Sequence, residues 1–277
     1  MQILDGTTTS QKIINDLKLE IGNLEIKPTL DILIVGSDPS SQKYVEMKQQ
    51  KAESIGISGT VHQLDEASTN DDILSLVDKL NKDNSVTAFM VQLPLPFQID
   101  TQKVLSQINP KKDADGLSPF NLGLLFQKQS TGITPATAAG ILKLLEEYQI
   151  DISGKNAVIV GRSSEVSIPL FALLLGKNAT VTICHSHTEN LKEICQRADI
   201  LISSVGKPKF LNKDFVKPGA VVIDVGFSLD SNGKTSGDFD FDQVAPIASF
   251  ITPVPGGIGP MTIASLLSNT VQIAKNK

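Results

Sequence analysis

The chain alternates short apolar runs with longer stretches in which apolar residues recur at helical spacing, the pattern of a parallel sheet covered by helices. Runs rich in Val, Ile and Leu over residues 30–35, 60–64 and 86–91 predict a first set of strands, with helices over 41–55 and 69–80 between them. A second set of strands is predicted at 157–160, 179–184, 200–203, 221–225 and 249–251, with helices over 168–175 and 189–197. Residues 109–135, rich in Pro, Gly, Lys, Asp and Gln, read as the connection between the two sets. Pro260 followed by residues 261–274 reads as one more helix with the proline at its first position, able to pack on either lobe. The expectation is an α/β protein of two lobes meeting at a cleft.

Composition narrows the partners. With 277 residues the chain fits one large or two ordinary domains. Its 25 basic and 30 acidic residues give a formal charge of -5 with no long run of like charge, which argues against nucleic acid and anionic membranes and for small ligands. Cys184 and Cys195, without a C-x-x-C pair, predict a reducing compartment, no structural zinc, and two small buried apolar side chains. No metal-ligand cluster is visible. No apolar run reaches the length of a membrane span and no signal-type segment opens the chain, so a soluble cytoplasmic protein is expected.

Val158, Ile159 and Val160 lead straight into Gly161, Arg162 and Ser163 and then a helix, the arrangement that presents helix N-terminal amides to a phosphate. Only Gly161 matches the G-x-G-x-x-G fingerprint, with Ser163 and Val166 at the other two positions, so dinucleotide binding and an ordinary strand-to-helix turn both fit. A carboxylate about 20 residues after the first glycine would mark NAD. Here Cys184, His185, Ser186, His187 and Thr188 stand there instead. Hydroxyls, imidazoles and the Arg162 guanidinium suit a 2'-phosphate, which favours NADP over NAD.

In the first lobe, Tyr44 and Lys48 are spaced i, i+4 and share a helix face. Such a lysine is ordinarily a solvated charge; only a desolvated setting would lower its pKa and make it a proton carrier. Gln92 ends the third strand before Leu93, Pro94, Leu95 and Pro96, where a side chain projects at the carboxyl edge that holds ligands in α/β folds, or simply caps a loop. Lys112-Asp113-Ala114-Asp115-Gly116 is a charged turn or a carboxylate able to bind the amino and ring N–H edge of a heterocycle. Residues 252–262 hold three glycines and three prolines, a rigid loop that a ligand can approach closely.

In that order along the chain, Tyr44-Val-Glu-Met-Lys48, Val91-Gln-Leu-Pro-Leu-Pro96, Lys112-Asp-Ala-Asp-Gly116, Val160-Gly-Arg-Ser163, Val222-Ile-Asp-Val-Gly226 and Thr252-Pro-Val-Pro-Gly-Gly-Ile-Gly-Pro-Met-Thr262 resemble the bifunctional methylenetetrahydrofolate dehydrogenase/methenyltetrahydrofolate cyclohydrolase family over essentially the whole length. The resemblance implies a homodimer whose subunits have a folate-binding lobe, residues 1–139 with 263–277 returning to it as a C-terminal helix. Residues 140–262 would form a Rossmann-type, doubly wound parallel sheet for NADP. It implies Lys48 as the central catalytic residue, Gln92 as its hydrogen-bonded modulator, Tyr44 as the ring stacked on the folate and Asp115 as the pterin anchor. Leu93, Pro255, Gly256 and Gly257 would line the folate site. Gly161, Arg162, Ser163, His185, Ser186, Val205, Gly206, Asp224, Gly226 and Thr262 would lie along the cofactor. Differences from the family pattern are Ala136 and Ala138 in place of a Cys and a Pro, Ser167 in place of a Gly, and His187 where a Lys is common. A dehydrogenase without cyclohydrolase activity, and a silent nucleotide-binding regulator, are the alternatives.

Overall fold

The computed structural model describes residues 1–128, 131–229 and 233–276. In chain order the elements are β1 (Gln2–Ile3), α1 (Gly6–Gly22), β2 (Leu30–Val35), α2 (Pro39–Glu53), β3 (Val61–Leu64), α3 (Asn70–Lys82), β4 (Ala88–Val91), α4 (Thr101–Gln107), α5 (Pro119–Phe126) and α6 (Ala136–Glu147). They continue with β5 (Asn156–Val160), α7 (Ser167–Gly176), β6 (Thr180–Cys184), α8 (Leu191–Cys195), β7 (Ile200–Ser203), β8 (Val221–Asp224), β9 (Ser228–Leu229), β10 (Thr235–Ser236), α9 (Phe241–Val244), β11 (Phe250–Ile251) and α10 (Ile258–Lys275).

Two compact units result, one of Lys12–Ala136 with Ile263–Lys277 and one of Met1–Gln11 with Thr137–Thr262. The first is built on a parallel three-stranded sheet in the order β3-β2-β4. Strand β2 is buried along its whole length because both its faces are covered. Leu30, Ile32 and Ile34 join a core with Ile14, Leu17 and Ile21 of α1 and with Ile263, Leu266, Leu267 and Val271 of α10. Leu33 and Val35 face Ile73, Val77 and Leu80 of α3. The polar exception in β2, Asp31, accepts from His62 Nε2 at 2.6 Å and from Thr60 N.

The second unit carries a parallel six-stranded sheet in the order β1-β11-β8-β7-β5-β6. Chain order runs outward from β5 to β6, then resumes at β7 on the other side of β5, so the switch point of this doubly wound sheet lies between β5 and β7. Cys184 and Cys195 are free thiols fully buried in its core.

Helices α4, α5, α6 and α9 and strands β9 and β10 add to the expected elements, and three further features depart from them. The N-terminus belongs with the second sheet, because Gln2 and Ile3 pair with Phe250 and Ile251. Helix α1 was outside the expected set: its Thr7-Thr8-Thr9 start has weak helix preference, and Asp5 supplies the cap by accepting from Thr8 N and Thr8 Oγ1. Helix α10 starts at Ile258, so Pro260 sits inside its first turn, where its missing N–H costs nothing.

Candidate functional site

Helix α2 sets the first half of the site. Asp38 caps it by accepting from Ser41 N at 2.8 Å, and Pro39 fixes its entry. Its buried stripe is Val45, Lys48 and Ala52, so a lysine occupies a position that packing alone would give to an apolar residue. Lys48 is 4% exposed. Its Nζ donates to Gln92 Oε1 at 2.9 Å, lies 3.5 Å from Met90 Sδ and stands 4.5 Å from the centre of the Tyr44 ring. Burial pushes its pKa down to about 8, and the Asp115 carboxylate acts in the opposite direction.

Strand β4 sets the second half. Gln92 follows its last residue, and Gln92 N donates to Leu33 O at 2.8 Å. The Gln92 amide nitrogen donates to Leu93 O at 2.6 Å, which turns the amide oxygen toward Lys48. The peptide bond between Leu93 and Pro94 is cis. Beside β4, Phe89 N donates to Lys112 O and Ala114 N to Phe89 O, so the chain reaches Asp115 near the same edge of the sheet. The turn around Asp115 is organised by the fully buried Asp113, which accepts from Gly116 N, Ser118 N and Asn121 Nδ2 at 2.8 to 2.9 Å. Gly116 has φ +72°, and a side chain there would collide with the backbone of residues 133–135. Tyr44, Lys48, Gln92, Leu93 and Asp115 therefore lie in one unit, and Lys48 is in contact with both Tyr44 and Gln92.

In the other unit, Gly161 closes β5 with φ +136°, and a Cβ there would meet Ser204 Oγ at 2.6 Å and Ser167 Oγ at 2.9 Å. Ser204 N donates to Val160 O, so the loops after β5 and β7 adjoin at the switch point. Ser163 Oγ accepts from Val166 N at 3.2 Å, and Arg162 beside it is exposed. Ser167 is fully buried with its hydroxyl 2.9 Å from Ser204 Oγ, so its polar atom is satisfied internally. After β6, His185 Nδ1 accepts from His187 N at 3.2 Å, which in the neutral ring leaves Nε2 as the N–H donor. Ser186 is exposed next to it, and Val205 and Gly206 follow β7, Gly206 with φ +66°.

Asp224 and Gly226 prove to be internal. Asp224 is 5% exposed, and its carboxylate accepts from Gly226 N, Asp238 N and Phe239 N. Burial pushes its pKa up to about 7, backbone donors from Phe239 and Asp238 pull it down, and the Asp238 charge adds to the rise. Gly226 has no Cβ because Asp238 Oδ1 occupies that space. Asp238, fully buried, accepts from Ser203 Oγ, Val205 N and Lys207 N at 2.7 to 2.8 Å and so ties down the loop after β7.

Pro255, Gly256 and Gly257 lie in this second unit, where Gly256 O accepts from Thr7 N at 3.0 Å and the bond between Val254 and Pro255 is cis. Thr262 lies within α10; its hydroxyl donates to Ile258 O at 3.1 Å and lies 3.3 Å from Thr137 Oγ1, whose own hydroxyl can donate to it. Ala136 and Ala138 are buried in the first turn of α6. Sequence reasoning passed over Met90, Asp113, Asp238 and Asn269; only Asp113, inside the charged turn, carried a local signal. Among the described residues, no group of three or more His, Cys, Asp or Glu side chains is placed to hold a metal ion, and no helix is long and apolar enough to cross a membrane.

Comparison with known proteins agrees with this geometry. The sequence profile of the tetrahydrofolate dehydrogenase/cyclohydrolase catalytic domain matches residues 4–115, and that of the NAD(P)-binding domain of the same family matches residues 135–277. The chain belongs to the tetrahydrofolate dehydrogenase/cyclohydrolase family. The bifunctional protein FolD of Campylobacter curvus is 48% identical over 280 residues, covering 100% of this chain and 97% of that protein. The crystal structure of the FolD methylenetetrahydrofolate dehydrogenase/cyclohydrolase of Campylobacter jejuni superposes with a TM-score of 0.96 at 43% identity, covering 100% of this chain and 99% of that one. The Trypanosoma brucei enzyme of this family, solved with NADP cofactor and inhibitor, gives 0.94 at 35% identity over 98% of this chain and 96% of that one.

Proposed function

We propose that this family member oxidises 5,10-methylenetetrahydrofolate to the methenyl form with NADP, and hydrolyses the methenyl form to 10-formyltetrahydrofolate. The observation that carries the reading is Lys48: a lysine 4% exposed on the buried stripe of α2, hydrogen-bonded to the amide of Gln92 and facing a tyrosine ring. Burying an amine without a carboxylate in contact costs stability, and a proton-transfer role accounts for that cost.

Tyr44 offers its ring for stacking, and Asp115 its carboxylate for the amino and ring N–H groups of the pterin. Leu93, Pro255, Gly256 and Gly257 complete the assignment of folate contacts. Gly161, Arg162, Ser163, His185, Ser186, Val205 and Gly206 fit a dinucleotide. They follow three adjacent strands at the switch point, and the space against Gly161 tolerates no side chain. Thr262 is assigned to the cofactor side. Asp224 and Gly226 serve this site from behind, by shaping the loops. Held by those residues, NADP would supply the hydride acceptor for the carbon bridging N5 and N10 of the folate.

In hydrolysis, water attacks the bridging carbon of the methenyl cation and the neutral Lys48 amine takes the first water proton as the C–O bond forms. The Lys48 ammonium then returns a proton to N5 as the C–N5 bond breaks, and the adduct hydroxyl loses its proton to give the formyl group. One proton is released overall. With its pKa near 8 the amine is partly neutral at physiological pH, and Gln92 keeps the nitrogen aimed without adding a charge. The same reading makes the protein a cytoplasmic homodimer in the one-carbon metabolism that supplies purine synthesis; sedimentation at the mass of two chains tests the dimer. Incubation of the purified protein with methylenetetrahydrofolate and NADP, or NAD, tests the activity. Methenyl and formyl products with NADP are expected; a methenyl product that persists excludes the hydrolytic half.

A further inference from the structure

Asn269 lies on α10 and is 6% exposed, in the same unit as Lys48 and Asp115. Its Nδ2 donates to Ala114 O at 2.9 Å and to Thr134 O at 2.9 Å. Both partners are carbonyl oxygens, so the amide nitrogen must be the atom that faces them, and both its hydrogens are used. The two carbonyls belong to the two segments that flank Asp115. Ala114 precedes it directly, and Ala136 N, two residues after Thr134, donates to Asp115 O at 3.2 Å. Gly116 lies so close to Thr134 and Pro135 that no Cβ fits. One side chain thus stitches residues 114 and 134 together and fastens both to the C-terminal helix.

Resting on the function proposed above, we infer that Asn269 is a positioning residue for folate binding: it fixes the turn that carries Asp115 and so sets where that carboxylate stands relative to Lys48 and the pterin. Asp113 anchors the turn through Gly116, Ser118 and Asn121, and Asn269 adds the tie that joins Ala114 to Thr134.

The experiment compares the full-length wild type with Asn269→Asp, Asn269→Leu, Asp115→Asn and the double variant Asn269→Leu/Asp115→Asn. Asn269→Asp keeps the shape but sets a carboxylate against two carbonyl oxygens; Asn269→Leu removes the donors without adding charge, and serves if the first variant fails to fold. Each variant that binds NADP with a Kd within twofold of wild type is taken as folded. Asn269→Leu is expected to raise the folate KM at least tenfold. It should also move the midpoint of the pH profile of hydrolysis below that of the wild type, as Asp115→Asn should, because the carboxylate no longer opposes the effect of burial. In the Asp115→Asn background the same substitution should change KM less than twofold. Multiplicative effects of the two substitutions, an unchanged KM, or an unmoved midpoint would overturn the inference while the wild-type activity stands. A wild type that turns over neither substrate would overturn the functional reading and this inference with it.

Discussion

Replacing Gln92 by Glu tests whether the neutral amine is the working form of Lys48. The exchange is isosteric and puts a full negative charge where the amide oxygen now sits, 2.9 Å from Nζ. At that distance and an effective dielectric constant of about 20, the attraction is about 6 kcal/mol, or about four pK units. Desolvating the new carboxylate returns part of this, and with half of it lost the Lys48 pKa still climbs by about two units. From a starting value of about 8, the neutral fraction at pH 7 then falls from about a tenth to about a thousandth. Hydrolysis, followed as loss of the methenyl chromophore with the buffer rate subtracted at each pH, should drop roughly a hundredfold at pH 7 and recover on an alkaline limb shifted by about two units. Hydride transfer, followed as NADPH formation in the same variant, should fall far less, because alignment and not proton transfer governs it. A rate that drops equally at every pH, with its midpoint unmoved, would refute the neutral-amine mechanism and leave Gln92 a merely structural partner.

Lys48→Met should abolish hydrolysis and yet raise stability at pH 7 by up to about 3 kcal/mol, the cost of holding a pKa of about 8 against 10.5. The sign follows from proton counts: between pH 8 and 10.5 the unfolded chain binds more protons, so wild-type stability climbs with pH through that window and the deficit is complete below it. Urea unfolding at pH 7 and pH 10 should show that slope in the wild type and not in the variant. Arg162→Ala should weaken NADP binding well beyond any loss for NAD, since a guanidinium pairs with the 2'-phosphate only in the former; equal losses by titration would remove Arg162 from that role. Asp238→Ala strips acceptors from Ser203 Oγ, Val205 N and Lys207 N. At about 1 to 3 kcal/mol for each orphaned donor, it should lower the melting temperature and weaken NADP binding.

Strands β2, β5 and β7 were legible because both faces of each sheet are covered, which leaves uninterrupted apolar runs in the sequence. Strand β1, two residues long, carries no periodicity, and its place beside β11 is decided by a pairing across almost the entire chain. Helix α5 was hidden in a stretch that read as a connection, since its Pro119 and Gly123 look like breakers; Pro119 is in fact tolerated in its first turn behind the Ser118 cap. The i, i+4 spacing of Tyr44 and Lys48 and the prolines after Gln92 marked candidate positions, but spacing alone also fits a solvated lysine and a loop cap; the burial of Lys48 against Gln92 is what the structure adds. What the sequence did not disclose is who meets whom: Met90 lies 42 residues from Lys48, and Asn269 lies 155 and 135 residues from its two partners. Asp224 was read as a cofactor contact from its motif, but the motif records the close approach of Asp238 to Gly226.

The same physical logic runs through both units. In each, buried carboxylates gather the N–H groups of neighbouring loops. Asp113, paired beside Phe89 of β4, is a carboxylate satisfied by two backbone N–H groups and the Asn121 amide, while Asp224, at the end of β8, and Asp238 are satisfied largely by backbone donors of neighbouring loops. A carboxylate that accepts several such N–H groups fixes loop geometry more tightly than apolar packing can, because its partners and directions are specified. Lys48 differs in kind. It has a neutral amide, a thioether and a ring face as neighbours, so its charge is left uncompensated at contact distance. A structural role would be served better by Met or Leu at this position of α2; Asp224 is also shifted toward neutrality, but both its carboxylate oxygens are held by backbone N–H groups, which ties it to the loops and not to a reacting group. On the function proposed, the buried carboxylates serve the frame and the buried amine the chemistry, and a stability gain in Lys48→Met together with loss of hydrolysis is the result that tests this division.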